Sequence, residues 1–563
     1  MRSGIIHAAE AGFAAALLIA CRASGGSAGV SDKLFDVKGD GVPDARAAIG
    51  HRDRVIEVDD HVGDGVTDAR ATIQAAIDQA ASGTGDVYLP AGTFSISRAG
   101  SNFYGLKVPG GVRLHGAGQD KTVLQQVAGT PASVRLLYVT GEGDVVEDLT
   151  LDGNKRAQTA NAQRHGIFAL DAKHLVVRRV TARNFTGDGF YLYKGADSST
   201  FSAVLATSND RNGITLGGAV DGTQLASSKF IGNKAQQIDS EPGGKDIVSN
   251  TKITDCDIDG AGVSSDYVLT CSGTGTATMG HGWSVIGNRI NGGILVVWAQ
   301  DVVIADNVGV NPSSKPSVTV YRSAADVTIR GNRFRQPATG AASVAGVLIQ
   351  GTSASGPRRV VVAKNQIETD NATSIGVRAA GAESVVVVDN VLRGAGRAAP
   401  GNAGIQLRAT NPAVDFESAV VRGNRISDFG ARGVSVLGNG SARLLLLDII
   451  DNTFENDSVV PSMTEGISLD DGTGAAKQIS VIGNKCLGDV KAEVINYPAD
   501  VPVLVAGVRG AGGIYHIAGS PEGIMAESFG AVAVTRRGRS GATYYFKLSG
   551  KDSKTGWVPL MAP

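Results

Sequence analysis

Short segments in which apolar and polar residues alternate recur along the chain from about residue 110 to about residue 490. Apolar side chains at every second position are typical of a β-strand with one buried face and one outward face. Successive segments begin roughly 23 to 33 residues apart, and the stretches between them are rich in glycine, asparagine and aspartate. A repeat of this length that contains only short strands predicts a β-helix, in which stacked coils share one core.

Two kinds of strand make up the repeat. One begins with glycine and an apolar residue (residues 293–296, 346–349, 404–407, 433–436 and 466–469), and the other ends in asparagine (residues 285–288, 327–332, 385–390, 420–424 and 481–484). Stacking would place each asparagine at the same bend, where its amide can bond to the coils on either side as an asparagine ladder. Asparagine also tolerates the left-handed backbone that a tight bend requires, so we expect it to adopt that conformation.

Four consecutive repeats, residues 165–170, 188–193, 212–217 and 236–241, align without gaps and lie 23 or 24 residues apart. The large apolar residues at one position of this frame are Ile167, Phe190, Ile214 and Ile238. If they point inward, the outward side chains form two columns, which contain Phe168, Tyr191, Thr215 and Asp239 in one and Leu170, Tyr193, Gly217 and Glu241 in the other. These columns are aromatic at one end and acidic at the other.

Asp239 and Glu241 are two residues apart on one predicted strand, so both side chains leave the same face, with Cα atoms about 6.5 Å apart. Paired carboxylates beside aromatic rings suit a sugar chain, whose C–H faces stack on rings and whose glycosidic bond needs an acid and a base. Asp188 and Asp210 precede or begin the two earlier strands and could supply a third carboxylate. Like charges this close would raise at least one pKa, as a general acid near neutral pH requires.

The sequence therefore predicts a local site on one wall of the β-helix. The predicted catalytic residues are Asp239, Glu241, Asp188 and Asp210, and the predicted substrate-binding residues are Tyr191, Tyr193, Phe168, Arg211 and His165. In the alternative interpretation Asp239 and Glu241 are solvated acids before a turn, Tyr191 and Tyr193 only stack across coils, and His165 is a polar turn residue. Arg211 could bind a sugar carboxylate or neutralise the neighbouring aspartates.

Composition limits the partners. Lys and Arg number 53 against 54 Asp and Glu, so the net charge of −1 gives no reason to expect nucleic acid or another polyanion. Glycine is abundant (76 residues), which favours an all-β chain with many tight turns. The four cysteines (Cys21, Cys256, Cys271 and Cys486) have no metal-binding spacing, and we expect neither a metal nor a cofactor. Cys256 and Cys271 could form a disulfide or be buried as small apolar residues.

Residues 1–30 form an apolar segment and a linker. Arg2, an apolar run over residues 11–20 and the sequence Leu-Ile-Ala-Cys ending at Cys21 resemble a bacterial lipoprotein signal. The run is too short to span a bilayer. The alternative is a small apolar helix that docks or trimerises.

The next region, residues 31–110, has a recognisable order of motifs. Residues 39–49 and 63–73 are near-copies that begin Gly-Asp-Gly-Val, residues 74–81 have helical apolar spacing, and residues 86–96 contain Leu-Pro-Ala-Gly-Thr-Phe. This order resembles the N-terminal signature of the pectate-lyase-like superfamily. The resemblance implies an all-β fold, a right-handed parallel β-helix over residues 111–500, with an N-terminal cap over residues 31–110 whose helix covers the first coil.

Residues 501–563 read as a small C-terminal β-module. Gly-Ser-Pro-Glu-Gly at 519–523, a Tyr-Tyr-Phe-Lys strand at 544–547 and Thr-Gly-Trp at 555–557 resemble a C-terminal element of phage tail fibre and tailspike proteins. The resemblance implies a virion or prophage spike, a homotrimer, and attachment to a phage tail or baseplate. The alternative is a monomeric cap over the last coil.

The leading hypothesis is a tailspike-like depolymerase that cleaves a bacterial surface polysaccharide (capsule, O-antigen or exopolysaccharide). Residues 211–214 followed by 238–242 also resemble an Arg-x-Gly-Ile and Ile-Asp-x-Glu-Pro pattern of β-helix proteins that act on polysaccharides. One alternative is a secreted or lipid-anchored lyase or C5-epimerase, in which Arg211 or Lys194 neutralises a uronate and Tyr193 or His165 abstracts the proton. Another is a receptor-binding spike or adhesin without catalysis.

Overall fold

The computed structural model describes most of the chain from Val55 to Leu487. The gaps in this range are residues 84, 161–162, 263–266, 338–344, 372, 397–401, 410–415, 439–443, 457–462, 464 and 470–477. Beyond it, residue 490 and the strands Val494–Ile495, Val503–Ala506, Gly513–Ile517, Val532–Arg536, Ala542–Lys547 and Trp557–Leu560 are described. The predictions for residues 1–30, including Cys21, lie outside the described residues.

The described chain is an all-β parallel solenoid, as predicted, with three strand-bearing faces. The first, which we call the site face, is a sheet of 15 parallel strands. Its strands are Tyr104–Pro109, Arg135–Glu142, Ile167–Lys173, Phe190–Tyr193, Ile214–Gly217, Ile238–Glu241, Tyr267–Ser272, Gly293–Val297, Val318–Tyr321, Ala345–Gln350, Ile375–Ala380, Ala403–Ala409, Arg432–Gly438, Glu465–Leu469 and Val494–Ile495. Each strand pairs with its equivalent in the coils before and after it.

The other two faces belong to one larger sheet, joined where long early strands serve both faces. The second face consists of Ile56–Glu57, Asp86–Leu89, Arg113–Gly116, Val145–Asp152, Val176–Arg183, Thr200–Ser202, Gln224–Ala226, Lys252–Thr254, Gly280–Ile286, Ala299–Ala305, Ala325–Arg330, Arg358–Ala363, Ser384–Val388, Phe416–Arg422, Leu444–Ile450, Gln478–Ile482 and Val503–Ala506. The third face consists of Asp64–Asp68, Gly92–Ile96, Thr122–Gln126, Leu205–Thr207, Lys229–Ile231, Asp257–Asp259, Arg289–Asn291, Val308–Val310, Arg333–Gln336, Gln366–Thr369, Val391–Arg393, Arg425–Ser427, Thr453–Glu455 and Lys485–Leu487. A short extra pair, Val220–Asp221 and Val248–Ser249, precedes the second face.

Helix is scarce in the described residues. The helix Arg70–Ser82 buries Ile73, Ile77 and Ala80, whose spacing of three or four residues places them on one side, in the same core as the first coils. Two 3-10 turns, Asp60–Val62 and Lys155–Ala157, complete the helical segments. None of the helices in the described residues has the length and apolar content needed to cross a bilayer.

The interior is a continuous column of apolar side chains. Ile167, Phe190, Ile214 and Ile238 are all fully buried, so the predicted inward position of the repeat is confirmed. Cys256 and Cys271 are buried free thiols, which corresponds to the alternative without a disulfide. The side chains of the strands beyond Val503 are not described. Those strands pair partly antiparallel, in contrast to the parallel coils.

The predicted asparagine ladder is present. The side-chain amides of Asn288, Asn307, Asn332, Asn365, Asn390, Asn424 and Asn452 each donate to the side-chain oxygen of the next asparagine over 2.9 to 3.0 Å, and the series ends at Asn484. The expected left-handed conformation of the asparagine itself is wrong. The left-handed residue is the one before it, such as Gly423 or Asp389, because the asparagine side chain must point inward to the ladder.

We expect Asn424→Ala to destabilise the solenoid by about 2 to 4 kcal/mol. Asn424 donates to Val387 and Asn452 and accepts from both the backbone and the side chain of Asn390, and alanine would leave these buried groups unpaired. Thermal unfolding followed by circular dichroism measures the effect. The control is Asn102→Ala, which removes an exposed side chain outside the ladder. Equal stability of the two variants would show that the ladder contributes little.

Candidate active site

The site face brings the predicted columns together in the expected register. Phe168 pairs with Tyr191, Tyr191 with Thr215 and Thr215 with Asp239. In the second column, Leu170, Tyr193, Gly217 and Glu241 are paired in the same way. The alignment of the inward residues alone therefore gives the correct outward neighbours over four coils.

Three carboxyl groups and one guanidinium form the centre of the site. Arg211 places Nη1 3.3 Å from Asp188 Oδ2 and Nη2 2.6 Å from Glu241 Oε1. Asp239 lies two residues before Glu241 on the same strand, and the charge of Glu241 acts on its carboxyl group. Asp188 is fully buried and Asp239 is 7% exposed, whereas the side chain of Glu241 is 38% exposed. We call Asp188, Arg211, Asp239 and Glu241 the carboxylate cluster, and Glu241 is its open end.

Two polar residues that sequence reasoning missed hold the cluster in place. Asn212 donates through Nδ2 to Asp239 Oδ2 (3.2 Å) and to Thr215 Oγ1 (3.0 Å), and Thr215 in turn donates to Asp188 Oδ2 (3.2 Å). Both residues are buried. The repeat pattern could have indicated both residues, because Thr215 occupies the same outward column as Asp239 and Asn212 begins the repeat that precedes the Asp239 strand.

The first position of the repeat forms a second ladder. The backbone N–H of Asp188 donates to His165 Nδ1, that of Asn212 to Asp188 Oδ1 and that of Gln236 to Asn212 Oδ1, each over 2.9 Å. A side-chain acceptor in one coil thus fixes the backbone of the next, which sets the height of each acidic strand along the axis. We call His165, Asp188, Asn212 and Gln236 the polar ladder.

The surroundings favour protonated carboxyl groups in the cluster. Burial raises the pKa of Asp239 to about 8, and the neighbouring charge of Glu241 raises it further. Burial also raises the pKa of Asp188 to about 7, although Arg211 opposes that change. Asp239 therefore holds its proton more tightly than an exposed aspartate does, and it lies beside Glu241, whose side chain is bound to Arg211, so one strand carries a candidate acid and a candidate base.

This protonation predicts a pH-dependent stability. In the unfolded chain Asp239 ionises near its ordinary pKa of 3.8, whereas the folded chain keeps the proton up to about pH 8. Since the folded state binds more protons across that window, rising pH favours unfolding, and Asp239→Asn removes the effect. Thermal unfolding from about pH 5 to about pH 8 should show the variant gaining stability relative to the parent.

Asp144 provides a matched control for that measurement. It is buried outside the carboxylate cluster, its Oδ1 accepts from Val112, and burial raises its pKa to about 8. Asp144→Asn should therefore give the same trend with pH. Loss of stability in Asp239→Asn that grows toward pH 8 would contradict the protonated state.

Aromatic rings extend from the cluster toward the start of the solenoid. Tyr104 stacks on Tyr138 and Tyr138 on Phe168, with ring centroids 5.4 and 6.0 Å apart. Phe168 lies 5.6 Å from Tyr191 and 6.2 Å from Tyr193. Tyr104 and Tyr138 were missed because their coils lie outside the four that align in sequence. The rings form a wall along the site face beside the acids.

Tyr191 is the aromatic residue nearest to the cluster. A Cβ atom at position 217 would lie 2.7 Å from its ring, so Gly217 leaves the space that the ring occupies next to the Glu241 column. Burial, together with the charges of Glu241 and Asp188, raises the Tyr191 pKa to about 12. Its hydroxyl is therefore a hydrogen-bonding group near neutral pH.

Other predicted residues take different positions. His165 is fully buried, and burial lowers its pKa, so it serves as a neutral acceptor in the polar ladder and has no open path to a ligand. Asp210 pairs with Lys155 at 3.1 Å and makes no described contact with the other carboxyls. Phe168 is 8% exposed and mainly supports the neighbouring rings. Lys194 lies 3.6 Å from Asp246 and over the Tyr193 ring.

Potential metal ligands cluster elsewhere in the described residues. Asp59, Asp60 and His61 bring their side-chain atoms together on an exposed turn near the start of the solenoid. They are not part of the carboxylate cluster.

Family models match two overlapping parts of the chain. Residues 56–307 match the model described as rhamnogalacturonase A/epimerase, pectate lyase-like. Residues 280–486 match the right-handed β-helix region. Together they cover the site and most of the solenoid.

Similar proteins include polysaccharide-modifying enzymes. Over 202 residues the chain is 31% identical to mannuronan C5-epimerase AlgE4 of Azotobacter vinelandii, and the match covers 34% of this chain but only 32% of that protein. A tailspike protein mutant of E. coli bacteriophage HK620 is 14% identical, with 80% of each chain covered and a TM-score of 0.44. The catalytic unit of an α-1,3-glucanase from Streptomyces thermodiastaticus is 14% identical, with 74% and 70% covered and a TM-score of 0.40.

The resemblance predicted from the N-terminal motifs is therefore confirmed: this chain carries pectate-lyase-like and right-handed β-helix matches on a parallel β-solenoid.

Proposed function

We infer that this protein is a polysaccharide depolymerase that cleaves glycosidic bonds at the carboxylate cluster. The observation that carries this proposal is the buried Asp239 two residues from the more open Glu241, which Arg211 binds, on a face lined by aromatic rings. The local similarity to a mannuronan C5-epimerase supports a polysaccharide as the substrate class. The outward columns run along the solenoid axis, which suits a long polymer.

Each residue of the cluster has a role in this reaction. Asp239 donates its proton to the glycosidic oxygen, and Glu241 acts as the base that activates water or as the nucleophile. Arg211 holds Glu241 in place, while Asp188 and Asn212 position Arg211 and Asp239 respectively. Tyr191 and Tyr193 provide rings against which a sugar can stack.

The test is an incubation of the protein with purified capsule, lipopolysaccharide and exopolysaccharide preparations. Hydrolysis predicts new reducing ends without the absorbance of unsaturated uronates. Release of unsaturated products would assign the protein to the lyases instead. Binding without any change in the polymer would support the alternative of a receptor-binding spike or adhesin without catalysis.

A lyase or C5-epimerase is the second candidate, favoured by the 31% identity to a mannuronan C5-epimerase over part of the chain. In that reaction Arg211 or Lys194 would neutralise a uronate, and Tyr193 or His165 would abstract the C5 proton. The geometry supports it less, because Arg211 is already engaged by two carboxyls and His165 is buried. Proton exchange from solvent into a polyuronate, followed by NMR, would establish it.

The finer proposal is that the depolymerase is a phage tailspike that acts as a homotrimer at the virion tail. Its support is the resemblance of residues 501–563 to tail fibre and tailspike elements, together with the proposed action on a surface glycan. The mass of the full chain in solution tests it: a trimer is expected, and a monomer would favour a secreted enzyme.

A further inference from the structure

Two arginines lie on the site face far from the carboxylate cluster. Arg378 occupies the same outward column as Asp239, through the successive pairs Thr270–Leu295, Leu295–Thr319, Thr319–Leu348 and Leu348–Arg378. Arg408 is on the next strand, in the neighbouring column. Five strand spacings separate Asp239 from Arg378, which is about 24 Å along the axis.

Neither arginine has an acidic partner among the described residues. The Nε atoms of both are buried and form no hydrogen bond. Burial lowers the pKa of Arg378, and the adjacent positive charge of Arg408 lowers it further, so the two guanidinium groups repel each other. The Oγ of Ser435, one strand farther on, is also buried without a partner.

Two other partly buried arginines on this face are neutralised by carboxyl groups, whereas a third, Arg135, lies over the rings of Phe103 and Phe168. Arg432 pairs with Glu465 at 2.8 Å, and Arg211 pairs with two carboxyls. Partial burial of an unpaired charge costs free energy, because water is lost and no counter-charge replaces it. Two such groups on adjacent strands, with an unpartnered hydroxyl on the strand after that of Arg408, are arranged to receive an anion.

We propose that Arg378, Arg408 and Ser435 form a second glycan-binding site that takes an anionic group of the same polysaccharide chain that is cleaved at Asp239 and Glu241. This proposal rests on the proposed function, since it identifies the substrate as an acidic polymer that lies along the site face. The two guanidiniums would bind a carboxylate, and Ser435 would add a hydrogen bond.

The surface between the two sites is suitable for a sugar chain. Tyr321 lies in the column of Glu241, and Arg322 stacks on the rings of Trp298 and Tyr321, at 4.0 and 5.2 Å from their centroids. Within the described outward columns no acidic side chain lies between Glu241 and Arg378 to repel an anionic polymer. A chain long enough to reach both sites would therefore pass over rings and neutral side chains.

The test measures binding of polymannuronate oligosaccharides of graded length by calorimetry, with Glu241→Gln as the background to prevent cleavage. Adding Arg378→Gln and Arg408→Gln should weaken binding of the long oligosaccharides by about tenfold or more, since two charge-assisted contacts are lost. Short oligosaccharides and carboxyl-reduced long chains should be unaffected. Arg333→Gln, on the third face, is the control, and thermal unfolding without ligand should show no loss of stability in the double variant.

Three results would overturn the site: no binding of any polyuronate, unchanged affinity in the double variant, or an equal loss for carboxyl-reduced chains. Titration with inorganic phosphate tests whether the site binds any anion. Binding of phosphate would indicate a general anion site, and no binding of phosphate would indicate a site that requires the sugar chain. If the parent protein cleaves the polymer but the double variant binds it with unchanged affinity, the second glycan-binding site is contradicted and the proposed function is not. If binding depends on the two arginines but no cleavage occurs, the proposed hydrolysis is contradicted and the second site is not.

Discussion

Replacing Glu241 with glutamine is expected to reduce the rate of glycan cleavage by about 10² to 10⁴-fold while leaving glycan affinity within a few-fold of the parent. Glutamine keeps an oxygen that can accept from Arg211 but cannot act as a base or nucleophile. The loss should therefore appear in kcat rather than KM. Reducing-end release from the polysaccharide identified as substrate, with binding measured separately, provides the test.

A matched control for this variant is Glu465→Gln. Glu465 also pairs with an arginine on the site face, at 2.8 Å, but lies many coils from the cluster. The Glu465→Gln variant should cleave the polysaccharide at the rate of the parent protein. Retained turnover in Glu241→Gln would refute the assignment of Glu241, and loss of binding together with turnover would indicate a structural role instead.

Replacing Asp239 with asparagine is expected to cause a loss of similar size, because the asparagine amide cannot deliver a proton to the leaving oxygen. The parent enzyme should also lose activity as pH rises through about 8, the raised pKa of Asp239, since the acid is then deprotonated. This limb of the pH–rate profile should be absent from the residual activity of the variant.

Asp144→Asn distinguishes a catalytic acid from any buried acid. Both aspartates are buried, and in both burial raises the pKa to about 8. Only Asp239 lies beside Glu241, so only its replacement should abolish cleavage, whereas both variants should show the same stability trend. Similar losses of activity in the two variants would mean that the effect comes from the fold.

The register of the site could be predicted from sequence because it follows from a steric rule. Ile167, Phe190, Ile214 and Ile238 must face the core, and the period of two along a strand then places Asp239 and Glu241 outward together. That rule does not predict that Asp188 is fully buried, because the sequence gives no measure of how deeply a bend is covered.

The positions of the aromatic and polar residues around the cluster have equally local causes. Asp188 aligns with Asn212 in the repeat, whereas Asp210 falls two residues before that position and lies in the bend, where Lys155 reaches it. His165 occupies the same position of the polar ladder one coil before Asp188, and its Nδ1 accepts a hydrogen bond from the backbone N–H of Asp188. Tyr104 and Tyr138 join the aromatic wall through coils of different length, which no alignment at a fixed offset detects.

The asparagine ladder bears on how such a protein can change its ligand. Neighbouring rungs stay bonded although the chain between them is 19 residues long in one coil, from Asn288 to Asn307, and 34 in another, from Asn390 to Asn424. Insertions can therefore accumulate in the bends while the rungs keep every column aligned. Evolution can therefore change the length of the bends in these coils and leave the register of the strands unchanged.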